Sequence, residues 1–389
     1  MKKVRLFLCK VKSVVYDFWS LIICAMFRMC PIQQKKIVFD NFGGRGYAGY
    51  PCIIANEILN QKKDWKLVWL ASEKPQNMPA EIKWVRYASL RAAYELITAH
   101  VWIDNIRSSY RTKKRKGQYY IQTWHGGLPL KKIEADAESQ LSEEYVRKAK
   151  LDGRIADLVF SESEYQTKLF EKNFWYKGEY FKAQMYDVLS CEEKKQVIKL
   201  VKEFFSLQQD TGIILYAPTF RENSVYGYDS IDFEALVEAV KGKFGGDWVV
   251  IIRLHPNVAK MKNSIKYTGE IIDGTDYPQV QALLYASAFL ITDYSALMFE
   301  AMRFETNVLI FADDYDEYVG NERGFYFDIK GLPFPFSYDN ESLKNNIFNY
   351  DENVYKVECK EFLKKIGYYS NRKNVDCIVD KIEQVIEGI

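Results

Sequence analysis

One stretch constrains the fold more than any other: Ala288-Phe289-Leu290-Ile291-Thr292-Asp293-Tyr294-Ser295-Ala296-Leu297-Met298-Phe299-Glu300. A short, uninterrupted apolar run ends in polar residues, and a helix-like pattern begins at once. A strand buried on both faces reads this way when it delivers the chain to a helix N-terminus in an α/β domain. Ser295 stands where an N-cap is expected, with Thr292 and Asp293 beside it. Such a terminus presents free backbone N–H groups and the positive end of a helix dipole, which suit a phosphate. The same pattern is how any α/β domain turns a corner, so a purely structural turn stays open.

The pattern recurs along the chain. Ile37-Val38-Phe39, Trp65 to Leu70, Val101-Trp102-Ile103, Tyr119 to Gln122 and Leu158-Val159-Phe160 read as strands, and Pro51 opens a helix through Leu59. Strands alternating with helices imply a parallel sheet covered on both faces. Asn41-Phe42-Gly43-Gly44-Arg45-Gly46 lacks the spacing of the full dinucleotide fingerprint, and a structural turn is the simpler reading. A second alternating series begins after about Leu189, following the less regular stretch Phe174–Val188. The chain of 389 residues is long enough for two domains with separate cores. The expected division is 1–34, an amphipathic membrane-associating segment; 35–188, an acceptor-side α/β domain; and 189–389, a donor-binding α/β domain.

Three successive strands of the second series end in groups able to hold an anion. Ile213 to Tyr216 runs into Ala217-Pro218-Thr219-Phe220-Arg221, and Trp248 to Leu254 ends in Arg253-Leu254-His255-Pro256-Asn257. The third is the strand leading to Thr292 and Ser295. In a parallel sheet these ends share one edge. Arginine and histidine beside a helix N-terminus make a diphosphate cradle. Arg323-Gly324-Phe325-Tyr326 offers a further phosphate contact, whereas the aromatic run Leu332–Phe336 reads as a packed loop.

In the first series, Gln122-Thr123-Trp124-His125-Gly126-Gly127-Leu128-Pro129-Leu130-Lys131-Lys132 ends a strand at a histidine followed by two glycines. Little bulk shields that imidazole, and it lies where open α/β sheets bind ligands. It can take a proton from a hydroxyl near neutral pH; the alternative is a histidine hydrogen-bonded into a turn. Glu134 to Lys150 is charged and reads as helical.

Net charge is only +2, so no overall field argues for a nucleic acid partner. The seven cysteines form no C-x-x-C and there are three histidines, a poor basis for a zinc site. The cysteines read as small core residues of a reduced, cytoplasmic protein. Residues 1–30 mix Lys2, Lys3, Arg5, Lys10 and Lys12 with Leu6, Phe7, Leu8, Val11, Val14, Val15, Phe18 and Trp19. The uncharged run Phe18–Phe27 is shorter than the roughly 20 apolar residues a span needs. Lys10, Lys12 and Asp17 argue against a secretory signal. An in-plane anchor on an anionic leaflet and a helix packed on the first domain both fit. Arg111–Lys116 is basic enough to touch anionic head groups or a polyanionic acceptor, though a solvated loop is the simpler account.

Taken together, Gln122-Thr-Trp-His-Gly with Pro129-Leu-Lys-Lys, Tyr216-Ala-Pro-Thr-Phe-Arg, Arg253-Leu-His-Pro, Ile291-Thr-Asp-Tyr-Ser with Glu300, and Arg323-Gly-Phe-Tyr resemble the CDP-glycerol glycerophosphotransferase family of teichoic-acid and capsule enzymes. The resemblance runs from about Asn41 to the C-terminus. It implies a GT-B-like fold of two doubly wound parallel-sheet domains facing a cleft, preceded by the amphipathic segment. It also implies peripheral attachment at the cytoplasmic face of the membrane, which favours the anchor reading. By motif, His125 and His255 would be catalytic: His125 the base on the acceptor hydroxyl, His255 stabilising the diphosphate or the departing CMP. Trp124, Gly126, Thr219, Arg221, Arg253, Thr292, Asp293, Ser295, Glu300 and Arg323 would bind substrate, with Glu300 at the ribose. Where the family usually carries Gly-x-Pro-Arg-Asn-Asp, this chain reads Lys182-Ala183-Gln184-Met185-Tyr186-Asp187, which puts acceptor or donor choice in question.

The implied reaction moves glycerol phosphate from CDP-glycerol to a hydroxyl of a lipid-linked or polymeric glycan, releasing CMP. CDP-ribitol as donor is the near alternative; a nucleotide-sugar glycosyltransferase and a non-catalytic binding member are more distant ones. The lack of a large additional N-terminal domain favours priming or capsule decoration over long-chain polymerisation. No metal motif is visible, although Mg2+ held by diphosphate and water would leave no mark in the sequence.

Overall fold

The computed structural model describes residues 22–107, 114–184, 189–219, 230–255, 258, 262, 265–321, 324–369 and 374–388. The chain divides into two compact units. The first comprises the described residues of Met1–His125, Leu141–Asp187 and Tyr369–Ile389; the second, those of Gly126–Gln140 and Val188–Tyr368.

The first unit is built on a parallel sheet of β1 (Gln33–Asp40), β2 (Lys66–Ala71), β3 (Lys83–Arg86), β4 (Ala99–Asp104), β5 (Tyr119–Gln122), β6 (Leu158–Ser161) and β7 (Glu179–Lys182). Its order is β3-β2-β1-β4-β5-β6-β7. The apolar runs form its centre: Val38 pairs with Val68 on one side and Trp102 on the other. Between β1 and β4 the strand order reverses, the place where doubly wound sheets open a ligand crevice. Ile37, Phe39, Trp69, Ile103 and Phe160 lie in the core. Serines at 89, 142 and 163 accept backbone N–H bonds at the starts of the helices Leu90–Thr98, Glu143–Ile155 and Glu164–Asn173, fixing where each begins.

The second unit repeats the plan with β8 (Gly212–Tyr216), β9 (Trp248–Ile252), β10 (Ile271–Asp273), β11 (Phe289–Thr292), β12 (Asn307–Phe311) and β13 (Phe336–Ser337). The order β10-β9-β8-β11-β12-β13 puts its reversal between β8 and β11. All the pairings are parallel. Two parallel-sheet α/β units of this kind agree with the GT-B-like fold that the family resemblance implied.

Several expectations are altered. The helix Asn374–Glu387 does not close the second unit. Its Ile378, Val379 and Ile382 are buried in the first unit's core beside Ile54 and Ile58 of the helix Gly49–Asn60. Apolar residues at helical spacing mark a buried helix face but do not say which sheet that face covers. Gly126–Gln140 likewise groups with the second unit. There an antiparallel bridge joins Lys131 to Phe325. Lys132 N–H donates to Gly324 O at 2.8 Å and Tyr326 N–H to Leu130 O at 2.8 Å. The charged stretch after Glu134 is two pieces, a 3-10 helix Glu134–Gln140 and the α-helix Glu143–Ile155. The strands β3, β7, β10 and β13 were not foreseen; each is short and sits toward or at a sheet margin, where no continuous apolar run is needed.

Residues 1–21 of the amphipathic segment, Arg111–Lys113, Met185–Val188, Phe220, Arg221, Pro256, Asn257 and Arg323 lie outside the described residues. Residues 22–27 are helical; Phe27 packs edge-on against Tyr94 with ring centroids 5.3 Å apart, while Met26 and Met29 are exposed. No helix among the described residues is long and apolar enough to cross a membrane.

Candidate functional site

In the first unit the ends of β1, β4 and β5, three neighbouring strands, carry the site. β5 ends in Gln122, and the next residues bend sharply: Trp124 has φ +60° and Gly126 φ +99°. For tryptophan a left-handed backbone is uncommon and must be held. Trp124 N–H donates to Gln122 Oε1 at 2.8 Å, and Thr123 N–H to Asp104 O at 2.9 Å. The indole is buried against Phe170 and Phe174, and the Arg107 guanidinium lies over both Trp124 and Phe174.

His125 leaves this bend with its ring stacked on Trp124, centroids 4.2 Å apart. Its Nδ1 lies 2.7 Å from the backbone carbonyl oxygen of Asn105, just past β4. A carbonyl only accepts, so Nδ1 carries the proton in the neutral ring and Nε2 keeps its lone pair. Nε2 makes no hydrogen bond among the described residues. The side chain is exposed by surface area, yet protein packed around it at longer range weakens hydration of the imidazolium. That desolvation lowers its pKa below the ordinary value; the Asn105 carbonyl opposes it and the Arg107 charge adds to it. A neutral, correctly tautomerised imidazole at pH 7 is what a general base requires.

Beneath this bend is a buried polar network that sequence reasoning missed. Arg107 Nη1 donates to Asp152 Oδ2 at 3.0 Å, and Tyr120 OH to Asp152 Oδ1 at 2.8 Å. Gln122 Nε2 donates to Tyr120 Oη at 2.9 Å and to Ile106 O at 2.7 Å. Burial, then the Asp152 charge, raises the Tyr120 phenol well above its ordinary range, so it stays a donor. The only hint in the sequence was Asp104-Asn105 closing the apolar run of β4, the same strand-end signal used elsewhere.

In the second unit β9, β8 and β11 are neighbours, so the three polar strand ends do share one edge. Asp293 is 4 % exposed, and its Oδ1 accepts Thr219 N–H at 2.7 Å and Tyr294 N–H at 2.6 Å. Thr292 Oγ1 is fully buried and donates to Ala217 O at 2.7 Å. These two side chains tie the end of β11 to the end of β8. Arg253 donates from Nη1 to Tyr277 O at 2.5 Å and Gly274 O at 3.3 Å, which orients its guanidinium. His255 is exposed just beyond it.

Ser295 is not the N-cap foreseen. The helix Leu297–Arg303 begins one residue later, with Ala296 at that position, and Ser295 Oγ instead accepts Leu297 N–H at 3.2 Å. Glu300 on that helix accepts from Gln281 Nε2 at 3.1 Å. Its Oε1 lies 3.9 Å from where a Cβ on Gly126 would be, an ordinary contact distance, so φ +99° rather than space is what favours glycine there. Thr219, Arg253, His255, Thr292, Asp293, Ser295, Glu300 and Gly126 thus belong to the second unit and Trp124 and His125 to the first.

Comparison with known proteins agrees with this arrangement. Residues 22–384 match the sequence profile of the family described as CDP-Glycerol:Poly(glycerophosphate) glycerophosphotransferase. The teichoic acid poly(glycerol phosphate) polymerase of Bacillus spizizenii is 28% identical over 367 residues, covering 89% of this chain and 92% of that one. The polymerase of the same description from Bacillus subtilis is 26% identical; the match takes in 90% of this chain but 49% of its relative, so this chain spans about half of that protein's length. Among solved structures, the wall teichoic acid polymerase TagF superposes with a TM-score of 0.81 at 24% identity, covering 99% of this chain and 98% of that one. With a profile match over nearly the whole described chain, and the family's histidine motifs on strand ends of two parallel sheets, this chain belongs to the CDP-glycerol:poly(glycerophosphate) glycerophosphotransferase family.

Proposed function

We propose that this chain transfers glycerol phosphate from CDP-glycerol to a hydroxyl of a polymeric or lipid-linked glycan and releases CMP. The observation that carries the reading is the state of His125: neutral, with Nδ1 engaged by Asn105 O and Nε2 left to accept a proton. Nε2 removes the acceptor hydroxyl proton as that oxygen attacks the glycerol-bearing phosphorus. The bond from this phosphorus to the bridging oxygen breaks, and CMP leaves with the electron pair. The charge developing on the leaving phosphate calls for positive groups and hydrogen-bond donors, the role assigned to Arg253 and His255, with Arg221 and Arg323 assigned there by motif. Thr219 and Ser295 are read as polar contacts to the phosphates, and Glu300 as a contact to the ribose. Asp293 and Thr292 build the edge on which these groups stand.

Glycerol is preferred over ribitol because the family description and the relatives named above carry glycerol phosphate in their names. Membrane association is part of the same proposal: exposed Met26 and Met29 follow the basic, aromatic N-terminal stretch, and the acceptor would be anchored at that surface.

The experiment is CMP release from CDP-glycerol and from CDP-ribitol with a membrane extract as acceptor, comparing wild type with His125→Ala and His255→Ala. Acceptor-dependent release from CDP-glycerol, lost in both variants, is expected. Release from CDP-ribitol alone would change the donor; binding without release from either would favour a non-catalytic role. Vesicle sedimentation of the full chain and of a form lacking residues 1–30 tests the membrane reading, and equal partitioning would remove it.

A further inference from the structure

The glycine-rich turn after β1 has no part in the reaction as read so far, yet it is held more firmly than a connector requires. Phe42 has φ +48°, a conformation unfavourable for a bulky side chain. Its N–H donates to Asn105 Oδ1 at 2.7 Å, and Asn105 Nδ2 donates to Asn41 Oδ1 at 2.7 Å. Both asparagines are buried. Asn41 also closes the turn on itself: Arg45 N–H donates to Asn41 O at 2.7 Å, and Asn41 Nδ2 to Arg45 O at 2.6 Å. Gly44, at φ +86°, has no room for a Cβ, which would lie 2.7 Å from Tyr87.

What this frame presents is an aromatic ring in water. Phe42 is 40% exposed, and its ring centroid lies 5.2 Å from that of His125, tilted by 58°. Asn105 therefore serves both residues, its carbonyl fixing the His125 tautomer and its amide fixing Phe42. Arg45, three residues on, is exposed, and its side chain makes no ion pair or hydrogen bond among the described residues. A strained backbone maintained by a buried network, holding an apolar ring beside a base, is the pattern of a binding element rather than of a turn.

We propose that Phe42 and Arg45 form an acceptor subsite. The Phe42 ring is the wall against which the carbon chain of a polyol-phosphate acceptor lies while its hydroxyl reaches His125 Nε2, and Arg45 pairs with an acceptor phosphate. This rests on His125 being the acceptor-side base.

The test is Phe42→Gly, since glycine adopts φ +48° without strain and removes only the ring. With CDP-glycerol as donor and a synthetic glycerol phosphate oligomer as acceptor, KM for the oligomer rises about tenfold, as loss of one apolar contact of this size implies. The melting temperature is kept or raised, and CDP-glycerol affinity by calorimetry is unchanged. Phe42→Leu, which keeps an apolar wall, lies between. Arg45→Ala raises the oligomer KM severalfold and flattens its rise with salt. An oligomer KM within twofold of wild type in Phe42→Gly overturns the subsite. So does a lowered melting temperature with the acid limb of the rate profile moved and KM unchanged, because the ring would then only shield His125. Retained activity in His125→Ala would instead defeat the base assignment, a separate result.

Discussion

The Nδ1 of His125 is fixed 2.7 Å from the backbone carbonyl of Asn105, although the two lie on different strand ends and are 20 residues apart. This contact chooses the tautomer, and the protein packed around the ring keeps it neutral. The folded pKa is lowered, so protonation of His125 is disfavoured in the native state. The acid limb of kcat/KM is expected below 6.5, with the rate constant between that limb and neutrality. His125→Ala is expected to lose about 10²–10⁴-fold in kcat. CDP-glycerol affinity should stay near wild type, which calorimetry checks. An acid limb above 6.5 would contradict the burial argument.

Asp293 is expected to behave as a structural brace. Asp293→Ala strands the N–H groups of Thr219 and Tyr294, costing about 1–3 kcal/mol. Asp293→Asn keeps an accepting oxygen and should recover much of that loss. Thermal melting of both variants decides it. A normal melt for Asp293→Ala with lost CDP-glycerol binding would make the carboxylate a ligand contact instead.

Asp152 is expected to couple stability to turnover. Its removal in Asp152→Ala leaves the Arg107 charge buried without its carboxylate, a loss of about 3–5 kcal/mol. Because Arg107 also lies over Trp124 and Phe174, kcat should fall while CDP-glycerol affinity is unchanged. Tyr120→Phe, which deletes the hydrogen bonds to Asp152 and from Gln122 but leaves the ion pair, should cost less, about 1–3 kcal/mol. Denaturant titration and steady-state rates on the two variants check the order.

The Glu95 carboxylate sets an acid limit on the first unit. It accepts from Lys36, Lys83 and Arg91, each at 2.8 Å as an ion pair, and Lys36 is itself fully buried. Burial alone would raise the carboxyl, but the hydrogen bonds and charges of Lys36 and Lys83 take it down to about 2. The folded value lies below the unfolded one of 4.5, so its stabilisation is complete above 4.5 and is lost as pH falls toward 2. Glu95→Gln leaves Lys36 uncompensated and should destabilise by about 3–5 kcal/mol at pH 7. The variant should also lose the wild type's fall in stability between pH 5 and 3. Chemical denaturation across that range measures both effects.

The sequence by itself determined the two parallel sheets, because strands buried on both faces must be continuous apolar runs, as in Val101–Ile103 and Phe289–Ile291. It also placed Thr219, Arg253, His255 and Ser295 at one sheet edge and His125 at another, since polar residues that end such runs mark the carboxyl ends of strands. Only the tertiary structure decided that Asn105 orients His125 through a backbone carbonyl, which every residue carries and which leaves no trace in the sequence. It alone decided that Asp293 spends its carboxylate on Thr219 and Tyr294, and that Ile378 and Ile382 bury against the first sheet. Periodicity reports how much of a segment is buried and on which face. Which distant partner meets that face depends on packing across the whole chain, and that is where the contacts of His125 with Asn105 and Phe42 were settled.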